Sequence, residues 1–262
     1  MRRPRATRIA EAVLPAASVV AFIVGWQLFV DLRGIAPIYL PAPTAIATTL
    51  VQMTLDGSLA YHLGVTLLRI FAGFLLAAVT GVFLGVLMGM SRLVARIADP
   101  WIAALYPLPK ISLIPLLIIW LGTGETYKIV ISAVTAFFPI VMSTYAGVRQ
   151  VDRGLIKAAR DLGANSRQIQ LKVVIPAAIP TIFAGLHLGM GVTIILVVAA
   201  EMIGGSSRSG MGYLLINAGQ IMQTEQVFAS LVVLAVMGAL VIKFQQWIDT
   251  KVAPWAAGPG AH

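Results

Sequence analysis

Six runs of about twenty apolar residues, joined by short polar connections, limit what this chain can fold into more than any other feature. They are Val13–Val30, Thr66–Met90, about Trp101–Leu121, Tyr127–Val148, Pro176–Ile203 and Val227–Trp247. A helix of about twenty residues crosses a hydrocarbon core roughly 30 Å thick. The composition is 59% hydrophobic and 11% charged over 262 residues, too little charge to cover the surface of a soluble domain of this size. We therefore expect an all-α polytopic membrane bundle of six transmembrane helices, with residues 1–262 forming one transmembrane domain. There is no cysteine, which excludes disulfides, thiolate metal sites and a cysteine nucleophile.

The net charge of +9 does not point to nucleic acid, because the bases lie in short segments between apolar runs. Arg2, Arg3, Arg5 and Arg8 precede the first run. Arg92 and Arg96 follow the second, and Arg149, Arg153, Lys157, Arg160, Arg167 and Lys172 follow the fourth. Lys243 and Lys251 mark the end of the sixth. The alternate connections hold only Arg33, Lys128 and Arg208. By the positive-inside rule both ends are cytoplasmic. A signal peptide is the alternative for the first run, but that run is long and no small-residue cleavage site follows it.

Pro107, Pro109 and Pro115 interrupt the third run, and other helices or water must satisfy the backbone groups they free. In the long outer connection, Thr44 is expected to cap an amphipathic helix with Ile46, Leu50 and Met53 on one face. Gly73, Ala77, Gly81, Gly85 and Gly89 step by four along the second run, and Gly185 and Gly189 repeat the pattern in the fifth. Small residues so spaced let another helix approach closely, since lipid provides no hydrophobic push between helices.

Between the fourth and fifth runs lies a polar segment that cannot span, about 152–166. Leu155, Ala159 and Leu162 share one helical face, Ile156 lies beside them, and Lys157, Arg160 and Asp161 lie mostly elsewhere. Gly163 permits a helix end. An amphipathic helix resting on anionic lipid and a docking knob for a soluble partner both fit this pattern.

This segment resembles the EAA loop of binding-protein-dependent ATP-binding-cassette importer permeases. Lys157-Ala158-Ala159, three residues, Gly163, nine residues and Val173-Val174-Ile175-Pro176 keep the motif's spacing, with Lys157 replacing its leading Glu. YLPAPTAI, the stretch Asp99–Ile129, AFFPIVMSTYAGV and VVAAEMIGG resemble the nitrate/sulfonate/taurine group of that family. The resemblance implies a type I importer permease fold in the inner membrane, acting as a homodimer. The implied partners are two cytoplasmic ATP-binding subunits and an extracytoplasmic solute-binding protein. It implies that Lys157, Ala158, Ala159, Asp161, Leu162 and Gly163 couple the permease to the ATPase. No GxxxxGK[ST] pattern is present, so ATP and Mg would be bound by the partner, with no cofactor, metal or catalytic residue on this chain.

Candidate pathway residues are His187, Glu201, Ser132 and Thr135. His187 is expected near mid-membrane, where relatives often carry Arg, and pore-lining and packing roles are both open. Glu201, near the outer end of the fifth run, is read as bonding a loop at headgroup level or as serving a gate. Ser132 and Thr135 either line a polar path or bond their own helix. Arg69 and Lys110 are expected to snorkel towards interfaces. A self-contained secondary carrier is the main alternative, but the buried carboxylates or inverted repeat it needs are not evident. A non-transporting scaffold is the third reading.

Overall fold

The structure, a computed structural model, describes residues 5–203 and 209–254, and side chains at residue 14 and from residue 16 onward within those ranges. The topology charges assigned to Arg2, Arg3 and Arg208 lie outside the described residues, and those of Arg5 and Arg8 outside the described side chains. All regular elements among the described residues are helical. The order is α1 (Arg5–Arg33), α2 (Pro43–Leu55), α3 (Ser58–Met90), α4 (Arg92–Leu105), a 3-10 turn (Lys110–Leu113), α5 (Ile114–Leu121) and α6 (Glu125–Arg149). There follow α7 (Arg153–Asp161), α8 (Ser166–Ile169), a π-helical turn (Gln170–Val174), α9 (Ile175–Ile203), α10 (Met211–Gln220) and α11 (Thr224–Val252). Five helical segments are long and apolar enough to cross a membrane. α4 and Lys110–Leu121 meet the same test only as a pair, bent by 89° at their junction, and counted as one span they make the sixth. Five of the expected six spans are single helices, and the third is this bent pair. The third is more broken than its prolines foretold, and its helix begins at Arg92, so Arg92 and Arg96 are helical rather than in a loop.

The described residues form two compact units. One holds the chain as far as Tyr61 together with Leu214–Val233. Within it the Trp26 ring packs between Phe22 and Phe228, at centroid distances of 6.1 and 5.7 Å. The outer amphipathic helix is α2, with Ile46 and Met53 buried as expected. Its cap is not Thr44. Ala42 is the N-cap, Pro43 opens the helix where a missing N–H costs nothing, and the Thr44 N–H bonds the Gln27 side chain.

The second unit, His62–Tyr213 with the described residues from Leu234 on, is organised around α6, the most buried of the long spans. The glycine ladder of α3 lies against one side of α6. A β-carbon added at Gly81 would stand 2.9 Å from the Ile140 side chain, and one at Gly85 2.6 Å from Thr144 Cβ. Gly185 and Gly189 of α9 face Ser143 and Ile140 of α6, where an added β-carbon would meet carbon atoms at 2.5 and 2.7 Å. Both contacts are closer than a side chain tolerates, so the small residues set the helix spacing and dispersion at that spacing holds the helices together.

The fifth span does not begin at Pro176. Helix runs unbroken from Ser166 through Ile203, with the π-helical turn just before the proline. Pro176 lacks an N–H and its ring would crowd the carbonyl four residues back, at Lys172. Widening the turn there removes that conflict without ending the helix.

Candidate functional site

Two places in the second unit gather the chemistry. The first is the polar connection between α6 and α9. Asp152 caps α7, its Oδ1 accepting the Gly154 N–H at 2.7 Å. At the other end Gly163 takes φ +83°, its N–H bonds Arg160 O at 2.9 Å, and the Ala164 N–H reaches back to Ala159 O at 3.0 Å. This paired closure satisfies the last carbonyls, and it requires the left-handed conformation that glycine adopts without strain. Asn165 and Gln168 then form a reciprocal capping box that starts α8. A polar segment with no apolar span to hold it is thereby given a fixed shape.

Ile156, Ala159 and Ala164 pack on Val148, Val151, Ile169, Val174, Ala178 and Ile182, which anchors α7 to the ends of α6 and α9. The face expected to hold Leu155, Ala159 and Leu162 together is split. Ala159 is half-buried against the chain's own core, while Leu155 and Leu162 are 52% and 88% exposed. The reason is the anchor: the edge of α7 nearest the span ends is occupied by Ile156, and that rotation turns the leucines outward. Lys157, Ala158, Asp161 and Gly163 are exposed beside them.

The second place is a buried ionic cluster that sequence reasoning did not find. Arg69 on α3 was expected to snorkel from the start of the second span. The helix starts earlier, at Ser58, so Arg69 sits about three turns inside it and is fully buried. Its Nε and Nη2 bond the two Glu125 carboxylate oxygens at 2.5 and 2.6 Å, and its Nη1 bonds Glu201 Oε1 at 2.5 Å. Nη1 and Nη2 also donate to Ser209 O and Ser209 Oγ at 2.9 and 3.0 Å. Glu201, at the end of α9, accepts the Thr66 hydroxyl and the Gly212 N–H at 3.0 and 2.9 Å. The Met211 N–H donates to Thr66 Oγ1 at 2.8 Å, and the Gly210 N–H to His62 Nδ1 at 3.1 Å. Gly210 has φ +104°, and a β-carbon there would collide with the Glu201 carboxylate and the Arg69 guanidinium. One ion cluster thus ties α3, the start of α6, the end of α9 and the start of α10 together. Lys128, counted as an outer-loop charge, is also buried, with its ammonium 5.7 Å from the Tyr127 ring centroid.

The other candidates are placed as follows. Glu201 is in this cluster, where it is fully buried rather than at headgroup level and bonds Thr66 and Arg69 of α3 and the Gly212 N–H of α10 rather than a loop. His187 is partly exposed, with Nε2 2.8 Å from Asp249 Oδ2 on α11, within ion-pair distance but not aligned as a hydrogen bond. The Ser132 hydroxyl donates to Lys128 O and Ile129 O, both at 2.8 Å, beneath Gly73 of α3. Thr135 donates to Ile131 O at 2.7 Å. Lys110, expected near an interface, sits at the break of the third span, where its Nζ donates to Tyr106 O and to Leu105 O. Arg69 had one sequence signal: it shares a helix face with Thr66, three residues earlier, and a charge inside a span needs a partner. The partners, Glu125 and Glu201, are 56 and 132 residues away.

Long apolar helices packed on α6, and a capped polar helix between α6 and α9 that presents apolar side chains outward, define a polytopic membrane subunit. The chain belongs to the family of binding-protein-dependent transport system inner membrane components, which it matches over residues 78–254. It is 36% identical over 230 residues to the putative aliphatic sulfonates transport permease protein SsuC of Bacillus subtilis, covering 88% of this chain and 83% of that one. It is 32% identical over 250 residues to the taurine transport system permease protein TauC of Escherichia coli, covering 94% and 90%. Among solved structures, an inward-facing form of the MetNI methionine ABC transporter aligns at a TM-score of 0.63 and 22% identity, over 78% of this chain and 98% of that one. An amino acid ABC transporter with histidines aligns at 0.60 and 20% identity, over 78% and 97%. These two share the fold. The protein is accordingly a multi-pass inner membrane permease subunit of an ATP-binding-cassette importer, and the self-contained carrier is not favoured.

Proposed function

We propose that this permease forms the membrane pathway for a small organic anion of the sulfonate class, as a homodimer whose two copies of α7 each dock on an ATP-binding subunit. A solute-binding protein delivers the solute from outside, and ATP and Mg act on the partner ATPases. Residues 1–262 serve as a single permease domain in this assembly. The observation that carries the reading is the geometry of α7. A cytoplasmic helix with both ends capped, one edge packed on the ends of α6 and α9, and Leu155 and Leu162 turned away from the chain is a handle that transmits force to two spans. Ala158 beside Leu162 leaves room for close approach, and Lys157, Arg160 and Asp161 supply charges that fix orientation. Closure of the ATPases on ATP moves α7, and α6 and α9 must follow because Ile156 and Ala159 are packed on them. Bias applied at the docking helix thus appears as a change of access at the pathway.

The solute class is supported by the names of the relatives in Bacillus subtilis and Escherichia coli. The test is growth on an aliphatic sulfonate as sole sulfur source, with and without the gene, beside growth on sulfate. Loss of growth on the sulfonate alone is expected, and equal growth of both strains refutes the solute class. For the coupling half, Leu162→Asp should abolish co-purification of the ATP-binding subunit. Retention of a stoichiometric complex in that variant refutes the docking assignment.

A further inference from the structure

The break in the third span leaves a cation at mid-membrane. α4 begins at Arg92, immediately after α3 ends on the cytoplasmic side, and its fourteen residues are about 21 Å long before it stops at Leu105. Lys110 stands at that stop. Its Nζ lies 4.6 Å from the ring centroid of Phe138 and 5.3 Å from that of Tyr106. Phe138 is thirteen residues from one end of α6 and eleven from the other, about 20 and 17 Å along the axis. The contact with Phe138 places the ammonium level with the middle of α6, and hence near the centre of the hydrocarbon layer.

A charge at that depth costs several kcal/mol if it faces lipid, so it faces protein or a wet cavity. The chain itself covers Lys110 only in part, and its neighbours Tyr106, Leu108 and Ile111 are 53%, 43% and 48% exposed. Two of its three N–H groups bond the terminal carbonyls of α4, at Leu105 and Tyr106, and among the described residues no carboxylate pairs with it. One donor and the full positive charge are left unspent on a face this chain does not close. The 3-10 turn that carries it touches both α6 and α9, the two spans anchored by the cytoplasmic helix.

We propose that the Lys110 ammonium is the mid-membrane contact for the anionic solute, held at the open break of the third span so that it meets the anion as α6 and α9 move. This rests on the anion-importer reading above and adds the residue that recognises the charge. Two carbonyl bonds and two aromatic faces fix the cation in place, and one free donor gives a contact weak enough for the solute to leave.

The test uses the whole transporter, this chain with its ATP-binding subunits and binding protein, in proteoliposomes with labelled ethanesulfonate. Lys110→Met is expected to cut ATP-driven uptake at least tenfold, with assembly and thermal midpoint kept, while Lys110→Arg stays within about threefold of wild type. Because the chain has no cysteine, Lys110→Cys gives this chain a single thiol, whose labelling is read on the permease band. A membrane-impermeant methanethiosulfonate should modify it during ATP turnover, and excess ethanesulfonate should slow that modification several-fold. Wild-type uptake with an unaffected Lys110→Met variant overturns the Lys110 assignment alone, as does a thiol that sulfonate fails to protect. Loss of assembly or of thermal midpoint in Lys110→Met also overturns it, by showing that the residue only caps α4. Absence of ethanesulfonate uptake by the wild type overturns the anion reading and this proposal with it.

Discussion

Replacing Arg69 by Met should be among the most damaging single changes to the stability of this protein. The guanidinium makes hydrogen bonds to Glu125, Glu201 and Ser209 from a side chain with no exposure. Methionine keeps an unbranched apolar stem, is shorter than arginine, and has none of its donors. Glu125 is 46% exposed at its side chain and can recover water. Glu201 cannot, since its side chain is fully buried and, among the described residues, would keep the Thr66 hydroxyl and the Gly212 N–H. Removing one partner of a buried ion pair costs about 3–5 kcal/mol, because the other charge is left uncompensated. At roughly 2–4 °C per kcal/mol for a chain of this size, the thermal midpoint should fall on the order of 10 °C. The assay is thermal unfolding of the purified transporter in one detergent, followed by intrinsic tryptophan fluorescence. Adding Glu201→Gln to Arg69→Met should restore more than half of the loss, since a neutral amide keeps bonds to Thr66 and Gly212 without a stranded charge. A midpoint within about 2 °C of wild type for Arg69→Met, or a double variant worse than the single, refutes the reasoning.

Other substitutions probe separate parts of the argument. Gly163→Ala forces a β-carbon into the left-handed conformation at the end of α7, which should cost about 1–2 kcal/mol locally and weaken ATPase binding about tenfold; titration of the ATP-binding subunit measures it, and an unchanged Kd counts against a rigid handle. Gly85→Leu should separate α3 from α6 at Thr144 and lower the folded yield more than Gly25→Leu, a position where nothing lies within 4 Å; equal yields by size-exclusion chromatography would show that the ladder does not set the spacing. His187→Ala should slow transport while leaving assembly intact, and wild-type uptake in that variant would reduce the contact with Asp249 to packing.

Where sequence sufficed, the reason was that a strong local constraint had one solution. Twenty apolar residues in a row can only be helix in lipid, because every backbone group must be satisfied within the segment. Glycines four apart can only mark close contact, and α3 and α9 meet α6 at those glycines. Gly163 ended α7 as expected because the backbone there needs a positive φ. The failures came where two answers were locally equal. Pro176 read as a helix start, yet the preceding turn widened and the helix continued. Leu155, Ala159 and Leu162 share a wheel face, but packing of Ile156 and Ala159 decided which edge of α7 turned inward.

The amino-acid order alone determined where the apolar spans lie and where the polar helix α7 ends, since these follow from hydropathy and from a positive φ at Gly163. Only the tertiary structure decided what the charges inside those spans do. Arg69 finds Glu125 and Glu201 from distant helices, and Lys110 finds the carbonyl end of its own broken span at the level of Phe138. A buried charge is defined by its partners, and the distances that make partners are set by how helices pack rather than by how residues are spaced along the chain.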